Sequence, residues 1–340
     1  MINGRKILLI SVKTFNYEQY IVQKLEELGA DVTYFDERPK NTVFAKGLIR
    51  IKRNLYSRQI ENYYNEVFNK IKDFEFDYLF VIKGEVIPSS FLSNFKELNP
   101  NTTLIYYTWD SFKNNPHSLE NLKYFDKKFT FDQKDAADFS LNFQPLFFID
   151  AYFKIKSQKS NISKHEILFI GTAHSDRYTI SQRVSKWCLE NQISFYNYYY
   201  ISNYIVFLYK KIFDKSFKKF RLKHLSFSSL GIDDIIKLYA ESNIILDINH
   251  PDQTGLTMRT FEALGAGKKL ITTNNNIKDY IFFKKENILI IDRDQPVLPL
   301  EFFSYKFDEY EENLLYKMSI EGWLTSIFSN SYENNWLNTK

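Results

Sequence analysis

Residues 243–274, NIILDINHPDQTGLTMRTFEALGAGKKLITTN, decide the fold of this 340-residue chain. They begin with a continuous apolar run, pass through a polar loop and a short helical pattern that ends near Gly265, and finish in a second apolar run. Continuous apolar runs of this length are typical of strands that are buried on both faces of a parallel sheet. The stretch therefore predicts a strand, a helix and a second strand, with the strands at 243–249 and 269–274.

Apolar runs and helical patterns alternate along the rest of the chain as well. The further predicted strands are residues 6–12, 31–36, 77–82, 103–109, 127–132, 166–172, 194–200 and 287–292. Strands that alternate with helices form parallel sheets that are covered by helices on both faces. We therefore predict an α/β protein made of two Rossmann-like domains.

The chain is long for one hydrophobic core, and its pattern divides into two halves. A polar stretch rich in Lys, Ser and Asn interrupts the alternation, and we predict a linker over 151–164. The domains that this linker joins are predicted to cover residues 1–150 and 165–306. The remaining tail, 307–340, begins with a helical pattern.

The composition excludes several kinds of protein. A formal net charge of +4 is too weak to indicate nucleic-acid binding. The single cysteine, Cys188, excludes a disulfide framework and a cysteine-based zinc site. The apolar run at 6–12 is too short for the core of a signal peptide or for a membrane span. We therefore expect a cytoplasmic protein that does not bind nucleic acid.

The loop that follows Asn249 carries the residues with the clearest chemistry. Open α/β sheets bind ligands beyond the carboxyl ends of their strands, and the first amides of the next helix attract anions. Gly255 lets the backbone approach a phosphate closely, while Arg259 and Glu262 lie on nearby parts of one helix face. This arrangement indicates a nucleoside diphosphate, with Glu262 accepting hydrogen bonds from a ribose. Helix capping and packing explain the same residues equally well.

Four segments resemble the GT-B glycosyltransferases: GLTMRTFEALGAGKKLITTN (255–274), LYAESNIILDINHPDQTGLTMR (238–259), FIGTAHSDR (169–177) and YYTWDS (106–111). Within that class they are similar to the group 1 branch, which includes CgeB-like and lipopolysaccharide or capsule biosynthesis enzymes. The similarity is strong over 165–283 and is at the level of the fold over 1–150. It implies two Rossmann-like domains that face each other across a cleft, with the last helix crossing back to the first domain.

The resemblance also implies an activity. A sugar would pass from a nucleotide-sugar, with UDP as the expected nucleotide, to a hydroxyl of a lipopolysaccharide, capsule or exopolysaccharide acceptor. No metal or other cofactor is expected, although Asp292–Asp294 (DRD) mimics a metal motif of another glycosyltransferase fold. A nucleotide-sugar epimerase or hydrolase of the same fold, and a non-catalytic nucleotide-sugar-binding protein, remain alternatives.

Carried over by position, the resemblance places the donor site in the second domain. The donor-binding residues are predicted to be Gly171, His174, Arg177, His250, Thr254, Gly255, Leu256, Thr257, Met258, Arg259 and Glu262. In this set Gly171 makes room for phosphate, Arg177 contacts it, and Glu262 binds the ribose. The large retaining families have a second glutamate eight positions before Glu262, where this chain has Thr254, so retaining stereochemistry is not carried over.

Two carboxylates of the first domain are candidates for the catalytic base. Asp110 follows a predicted strand and is placed to accept a proton from an acceptor hydroxyl, or to cap a helix together with Ser111. Glu18, after the first strand, is the rival base.

Two basic stretches, 48–59 and 208–224, need a separate interpretation. The second interleaves Lys with Phe, which suits contact with an anionic bilayer and an acceptor that is a lipid-linked glycan. We therefore predict peripheral contact with the cytoplasmic face of the inner membrane. A solvated helix with a packed aromatic stripe is the alternative.

Overall fold

The structure, a computed structural model, describes residues 2–42, 45, 47, 49, 53–157, 163–214 and 216–338. It divides into two compact units. Unit 1 comprises Met1–Pro145 and Ile320–Asn334, and unit 2 comprises Leu146–Ser319 and Asn335–Lys340. Within the described residues each unit is built on a six-stranded sheet, and every strand pair in it is parallel.

The bounds of the elements follow the alternation that the sequence predicts. The strands are β1 Lys6–Ser11, β2 Asp31–Asp36, β3 Tyr78–Ile82, β4 Thr103–Thr108, β5 Lys127–Thr130, β6 Asn142–Phe143, β7 His165–Thr172, β8 Phe195–Tyr200, β9 Leu225–Ser226, β10 Ser242–Asp247, β11 Lys269–Thr272 and β12 Ile288–Ile290. The α-helices are α1 Tyr17–Glu27, α2 Ser57–Ile71, α3 Ser89–Leu98, α4 Ser118–Asn121, α5 Gln133–Asp138, α6 Asp150–Ser157, α7 Arg177–Glu190, α8 Tyr204–Phe213, α9 Ile232–Ala240, α10 Met258–Gly265, α11 Leu300–Ser304, α12 Glu312–Met318 and α13 Ile320–Phe328. Short 3-10 helices cover Arg53–Tyr56, Leu122–Tyr124, Ser216–Lys219, Leu222–His224 and Asn275–Asp279.

The sheet of unit 1 has the order β2-β1-β3-β4-β5-β6, so the direction of winding reverses between β1 and β3. Its central strands β1, β3 and β4 are buried, as their continuous apolar runs predict, whereas β2 at the edge is only partly buried. Helix α13 completes this core, because Trp323 is fully buried with its ring 4.8 Å from Tyr107 and 6.0 Å from Phe80.

The sheet of unit 2 has the order β12-β11-β10-β7-β8-β9. Its first strand, β7, therefore lies between β8 and β10, and the winding reverses between β7 and β10. In doubly wound sheets the crevice beyond the carboxyl ends of two such strands is the place where ligands bind. Here that crevice is bordered by the segments that follow Thr172 and Asp247.

Several details differ from the predicted organisation. The predicted linker 151–164 is helical at its start, since α6 covers Asp150–Ser157, and its residues 158–162 lie outside the described residues. The tail predicted to be helical over 307–330 becomes helical only at Glu312, and it is divided at Ser319, whose backbone is extended, with ψ 162°. Strands β6 and β9 are not predicted by the sequence, because two residues carry no recognisable period.

The predicted basic stretches are described only in part. Residues 48 and 50–52 of the first stretch and residue 215 of the second lie outside the described residues. Across the part of the chain that the structure describes, no helix combines the length and apolar character needed to cross a membrane.

Candidate functional site

The carboxyl end of β10 is organised by one buried carboxylate, Asp247, which is 1% exposed. Its Oδ1 accepts a hydrogen bond from Nη1 of Arg259 at 2.8 Å, and its Oδ2 accepts one from the hydroxyl of Thr257 at 2.8 Å. The hydroxyl of Thr260 lies 3.4 Å from the same Oδ2. Asp247 therefore ties the strand to the start of α10 through side chains.

The N-terminus of α10 keeps its first amides free of a side-chain cap. Thr257 is the N-cap residue in extended conformation, with φ −82° and ψ 162°, but its side chain makes no capping hydrogen bond. Its hydroxyl is donated to Asp247 instead. Leu256, 2% exposed, anchors the preceding loop, and Met258 is the first helical residue. The positive end of the helix dipole thus lies at the crevice without a capping hydrogen bond from the side chain of its N-cap residue.

Arg259 is bound within the protein. Burial alone would lower the pKa of its guanidinium, but the neighbouring Asp247 carboxylate and other groups raise that pKa above its ordinary value. The 2.8 Å ion pair with Asp247 holds the side chain against the end of β10. The structure thus assigns Arg259 an internal partner that the sequence analysis does not foresee.

Glu262 lies on α10 and is 8% exposed. Its Oε2 accepts a hydrogen bond of 3.1 Å from the phenol of Tyr239, which belongs to α9. Burial, and next the Glu262 carboxylate, raise the pKa of Tyr239 well above its ordinary value, so the phenol stays protonated and donates. The Tyr239 ring also packs edge-on against Tyr152 at 5.0 Å. Glu262 is therefore oriented by a fixed donor.

Arg177 begins α7 and is 9% exposed. Its Nε donates to the carbonyl of Ile248 at 2.9 Å and its Nη1 to the carbonyl of Thr172 at 3.3 Å. Among the described residues no carboxylate forms an ion pair with it. Burial, and next the charge of Arg259, lower the pKa of Arg177 to about 9. A buried cation without a carboxylate favours the approach of an anion.

Gly171 lies inside β7, and not in the loop after it where the sequence analysis expects room for phosphate. A Cβ at this position would lie 3.0 Å from the ring of Phe169 and 3.4 Å from Nη1 of Arg177. The glycine therefore leaves space for the Arg177 guanidinium, and its role toward phosphate stays a prediction.

The two predicted histidines lie near each other, with ring centroids 5.8 Å apart. Burial, and next the charge of Arg177, lower the pKa of His174 to about 2, so its ring is neutral. Its Nδ1 lies 3.0 Å from the hydroxyl of Ser175. His250 is more exposed, and its Nδ1 accepts a hydrogen bond of 3.2 Å from the backbone amide of Asp252. His174 thus borders the crevice as an uncharged group.

The loop before α10 is held by amide side chains. Asn274 and Asn276 each donate to the carbonyl of Thr254 at 3.1 Å, and Gln253 donates to the carbonyl of Gly255 at 3.1 Å. Thr254, which occupies the position of the second glutamate of retaining families, is therefore tied into the protein through its backbone.

The other two glycines of the motif shape the end of α10. A Cβ on Gly265 would lie 2.5 Å from the ring of Phe148, so only glycine allows this close packing. Gly267 has φ +66°, and the amide of Lys268 donates to the carbonyl of Ala263 at 2.9 Å, as in a Schellman motif. Both positions serve the helix rather than a ligand.

Arg293 is a member of this site that the sequence analysis misses. It forms a two-point ion pair with Asp176, at 3.0 and 2.8 Å, and donates to the side chains of Asn249 at 2.8 Å and Thr273 at 2.9 Å. It thereby joins the segments after β10, β11 and β12 to the start of α7. The only signal in the sequence is its place inside the DRD motif.

The DRD motif itself closes a turn. Oδ1 of Asp292 accepts hydrogen bonds of 2.8 Å from the amides of Asp294 and Gln295. In the described ranges, no group of three or more His, Cys, Asp or Glu side chains is placed to hold a metal ion.

The candidate bases of unit 1 differ in their surroundings. Oδ1 of Asp110 accepts from the amide of Ser111 and from the side chain of Asn114, each at 3.0 Å, while Oδ2 lies 3.6 Å from Nζ of Lys83. Glu18 is 1% exposed and accepts a hydrogen bond of 3.0 Å from the amide of Thr14. This contact closes the loop after β1 and favours a structural role for Glu18.

Asp110 belongs to a charged cluster that the sequence analysis does not foresee. Lys83, which has the left-handed φ of +84°, lies 3.2 Å from Glu85, and Nε of Arg38 donates to Glu85 at 2.6 Å. Beside them Glu37 is fully buried, and its Oε1 accepts from a backbone amide at 2.6 Å. Its Oε2 has no hydrogen-bond partner among the described residues. Burial, and next the charge of Glu85, raise the pKa of Glu37 to about 7.

No protein-family model matches the chain, and no curated protein matches it in sequence. Several solved structures, however, match it in structure. Anabaena HepE in complex with UDP and glucose has a TM-score of 0.55 at 10% identity and covers 96% of this chain and 100% of its own. A UDP-N-acetylglucosamine 2-epimerase has 0.53 at 9%, covering 99% and 100%. The lipopolysaccharide outer core galactosyltransferase WaaB has 0.50 at 9%, covering 95% and 98%.

At these identities the similarity shows the fold alone. The two parallel sheets and their flanking helices match the GT-B arrangement of two Rossmann-like domains that these structures share. Membership of the CgeB-like branch stays a prediction. The chain therefore has the GT-B fold, which glycosyltransferases share with a nucleotide-sugar epimerase.

Proposed function

We propose that the protein is a glycosyltransferase that takes a sugar from a UDP-sugar and transfers it to a hydroxyl of a surface glycan. The observation that carries this proposal is the buried guanidinium of Arg177, which lies at the strand-order reversal of unit 2 and has no carboxylate partner in the described chain. HepE, one of the solved structures with this fold, holds UDP and glucose.

The diphosphate would lie against Arg177 and the N-terminus of α10. Both supply positive charge at the same crevice, because Arg177 is held by the carbonyls that end β7 and follow β10. Preorganised positive groups stabilise the charge that develops on a leaving diphosphate. Through Asp247, Arg259 would act by holding α10 in place. These groups supply the charge that a metal ion supplies in other enzymes, so we propose a metal-independent transfer.

The nucleoside would be recognised by Glu262. A carboxylate can accept hydrogen bonds from both hydroxyls of a ribose, and Tyr239 fixes the Glu262 carboxylate before the ligand arrives. His174 would border the sugar as a neutral group, since its pKa is about 2. Gly255 and the amides from Leu256 to Met258 remain the proposed backbone contacts of the diphosphate.

The catalytic base would be Asp110 of unit 1. Its Oδ1 is held by Ser111 and Asn114, and its Oδ2 faces Lys83, so the carboxylate has a fixed orientation at the end of β4. A general base of this kind accelerates attack by an acceptor hydroxyl. The acceptor is proposed to be a lipid-linked glycan at the cytoplasmic face of the membrane; WaaB, a lipopolysaccharide galactosyltransferase, has this fold.

The test is calorimetric binding of UDP, GDP, CMP and dTDP to the wild type and to Glu262→Ala. We expect UDP to bind and Glu262→Ala to bind it about a hundredfold more weakly, because two charged hydrogen bonds at the ribose are lost. Glu190→Ala, on the exposed end of α7, is the matched control. If no nucleotide binds, or if Glu262→Ala binds as the wild type does, the donor site is wrong.

Turnover separates the alternatives. A transferase releases UDP from its UDP-sugar at a rate that rises when an acceptor glycan is added. An epimerase or hydrolase converts the UDP-sugar without an acceptor, and the similarity to an epimerase makes this a necessary comparison. A binding protein would hold the UDP-sugar unchanged under both conditions.

A further inference from the structure

Helix α8 of unit 2 presents large apolar side chains to solvent. Six of its ten residues are both large and exposed: Tyr204 (51%), Ile205 (77%), Leu208 (42%), Tyr209 (59%), Ile212 (66%) and Phe213 (69%). They fall at four-residue intervals in two adjacent rows, so they form one continuous face of the helix. Phe227, 42% exposed, extends this face, with its ring 6.4 Å from that of Tyr204. Exposed apolar faces of this size mark interaction sites.

The opposite side of α8 is firmly attached to unit 2. Phe207 is 7% exposed and its ring packs edge-on at 5.9 Å against Phe217, which is fully buried. Lys210 donates to the carbonyl of Ala173 at 3.1 Å, and Lys211 donates to the carbonyl of Phe220 at 2.7 Å. Asn203 caps the helix through the amide of Val206 at 2.8 Å. The apolar face is thus displayed by a helix that is held in place.

The charge around this face points to its partner. Residues 204–224 contain seven basic residues and one acidic residue, Asp214. Four of the basic residues follow the helix and are exposed: Lys218, Lys219, Arg221 and Lys223. A second copy of this chain would bring two such segments together, which like-charge repulsion opposes. Apolar side chains beside a basic cluster match an anionic bilayer, where the former enter the interface and the latter bind lipid phosphates.

We propose that the face formed by Tyr204, Ile205, Leu208, Tyr209, Ile212, Phe213 and Phe227, with the basic segment 218–223, docks unit 2 on an anionic lipid bilayer. This docking proposal rests on the proposed function and locates its membrane contact on helix α8. Lipid binding and nucleotide binding are nevertheless measured separately, so that either proposal can fail alone.

The experiment is cosedimentation of the full chain with vesicles of phosphatidylcholine, with and without phosphatidylglycerol. We expect binding to the anionic vesicles that weakens as salt is added, and little binding to the neutral ones. The double variant Ile205→Ser and Ile212→Ser should bind the anionic vesicles at least about tenfold more weakly. Charge reversal by Lys218→Glu and Lys219→Glu should lower binding by a similar factor.

The matched control is Leu189→Ser with Val297→Ser, two exposed apolar residues of unit 2 outside the face, at 81% and 70%. This control should bind anionic vesicles as the wild type does, and all variants should bind UDP alike. Equal vesicle binding by the wild type and the Ile205/Ile212 variant would overturn the proposal. Equal binding of the wild type to neutral and anionic vesicles would also overturn it. The same holds if the wild type binds no vesicles but forms a dimer, and the Ile205/Ile212 variant does not form that dimer.

Discussion

The two units have the same kind of sheet edge and place different buried groups at it. Each sheet reverses its winding once, between β1 and β3 in unit 1 and between β7 and β10 in unit 2. At the edge of unit 2 the buried guanidinium of Arg177 forms no ion pair among the described residues, although the charges of Asp247 and Asp176 act on it. In unit 1 a fully buried carboxyl oxygen of Glu37 lacks a hydrogen-bond partner among the described residues.

We propose that topology sets where each unit binds its ligand and that side chains set which ligand it is. An unmatched cation beside a helix N-terminus selects phosphate. The carboxylates of Glu85 and Asp110, held by Lys83 and Arg38, suit the hydroxyl groups of a sugar, which donate hydrogen bonds to carboxylates. The contrast agrees with a donor bound by unit 2 and an acceptor bound by unit 1.

The largest effect is expected from Asp110→Asn. The amide keeps the shape of the side chain and loses its basicity, so sugar transfer should fall by a factor of about 10² to 10⁴. UDP affinity should stay unchanged, as measured by calorimetry. Asp138→Asn, an exposed position of unit 1, is the control. If Asp110→Asn transfers sugar as fast as the wild type does, Asp110 is not the catalytic base.

Next is Arg177→Met, which removes the unmatched cation of unit 2. Because a hydrogen bond to a charged group contributes about 1.5–3 kcal/mol, we expect UDP affinity to fall by roughly tenfold to a hundredfold. Lys186→Met, exposed on the same helix, should bind UDP normally. Thermal melting of both variants separates lost binding from lost folding. If folded Arg177→Met binds UDP with wild-type affinity, Arg177 does not bind the diphosphate and the proposed difference between the two edges is wrong.

The buried carboxyl of Glu37 predicts a pH dependence of stability. Its pKa is about 7 in the folded protein, against an ordinary value of 4.5, so the folded state holds the proton more tightly than the unfolded state. Wild-type stability should therefore fall, relative to Glu37→Gln, as the pH rises from about 4.5 to about 7, by on the order of 3 kcal/mol.

Urea unfolding of the wild type and Glu37→Gln across this pH range measures the difference. The exposed substitution Glu97→Gln should show no such trend. A constant difference between the wild type and Glu37→Gln would mean that the carboxyl of Glu37 is not held protonated, and that the edge of unit 1 has no unmatched group.

The smallest effect is expected from Tyr239→Phe. This change removes the hydroxyl that orients Glu262 and leaves the ring that packs against Tyr152. One neutral donor contributes about 0.5–1.5 kcal/mol, so UDP affinity should fall about tenfold or less. Tyr209→Phe, exposed on α8, is the control. A loss as large as that of Glu262→Ala would show that Tyr239 contacts the ligand itself.

The sequence alone determined the fold class and the long strands. Strands such as β1, β4 and β10 are continuous apolar runs, and the burial of such runs on both faces of a parallel sheet is a local consequence of composition. Gly255, Arg259 and Glu262 could be proposed as a site from sequence, because they lie within one loop and one helix whose spacing is regular, and their role toward a ligand stays a prediction.

Only the tertiary structure decided which distant residues meet. Asp110 meets Lys83, and through it Glu85 and Arg38, because β2, β3 and β4 end at one edge of the sheet of unit 1. Arg293 reaches Asp176 because β12 ends and α7 begins near the same crevice of unit 2. These pairs are separated by up to 117 positions in the chain. Strand order brings them together, and strand order depends on the packing of the whole sheet rather than on the local pattern of any one segment.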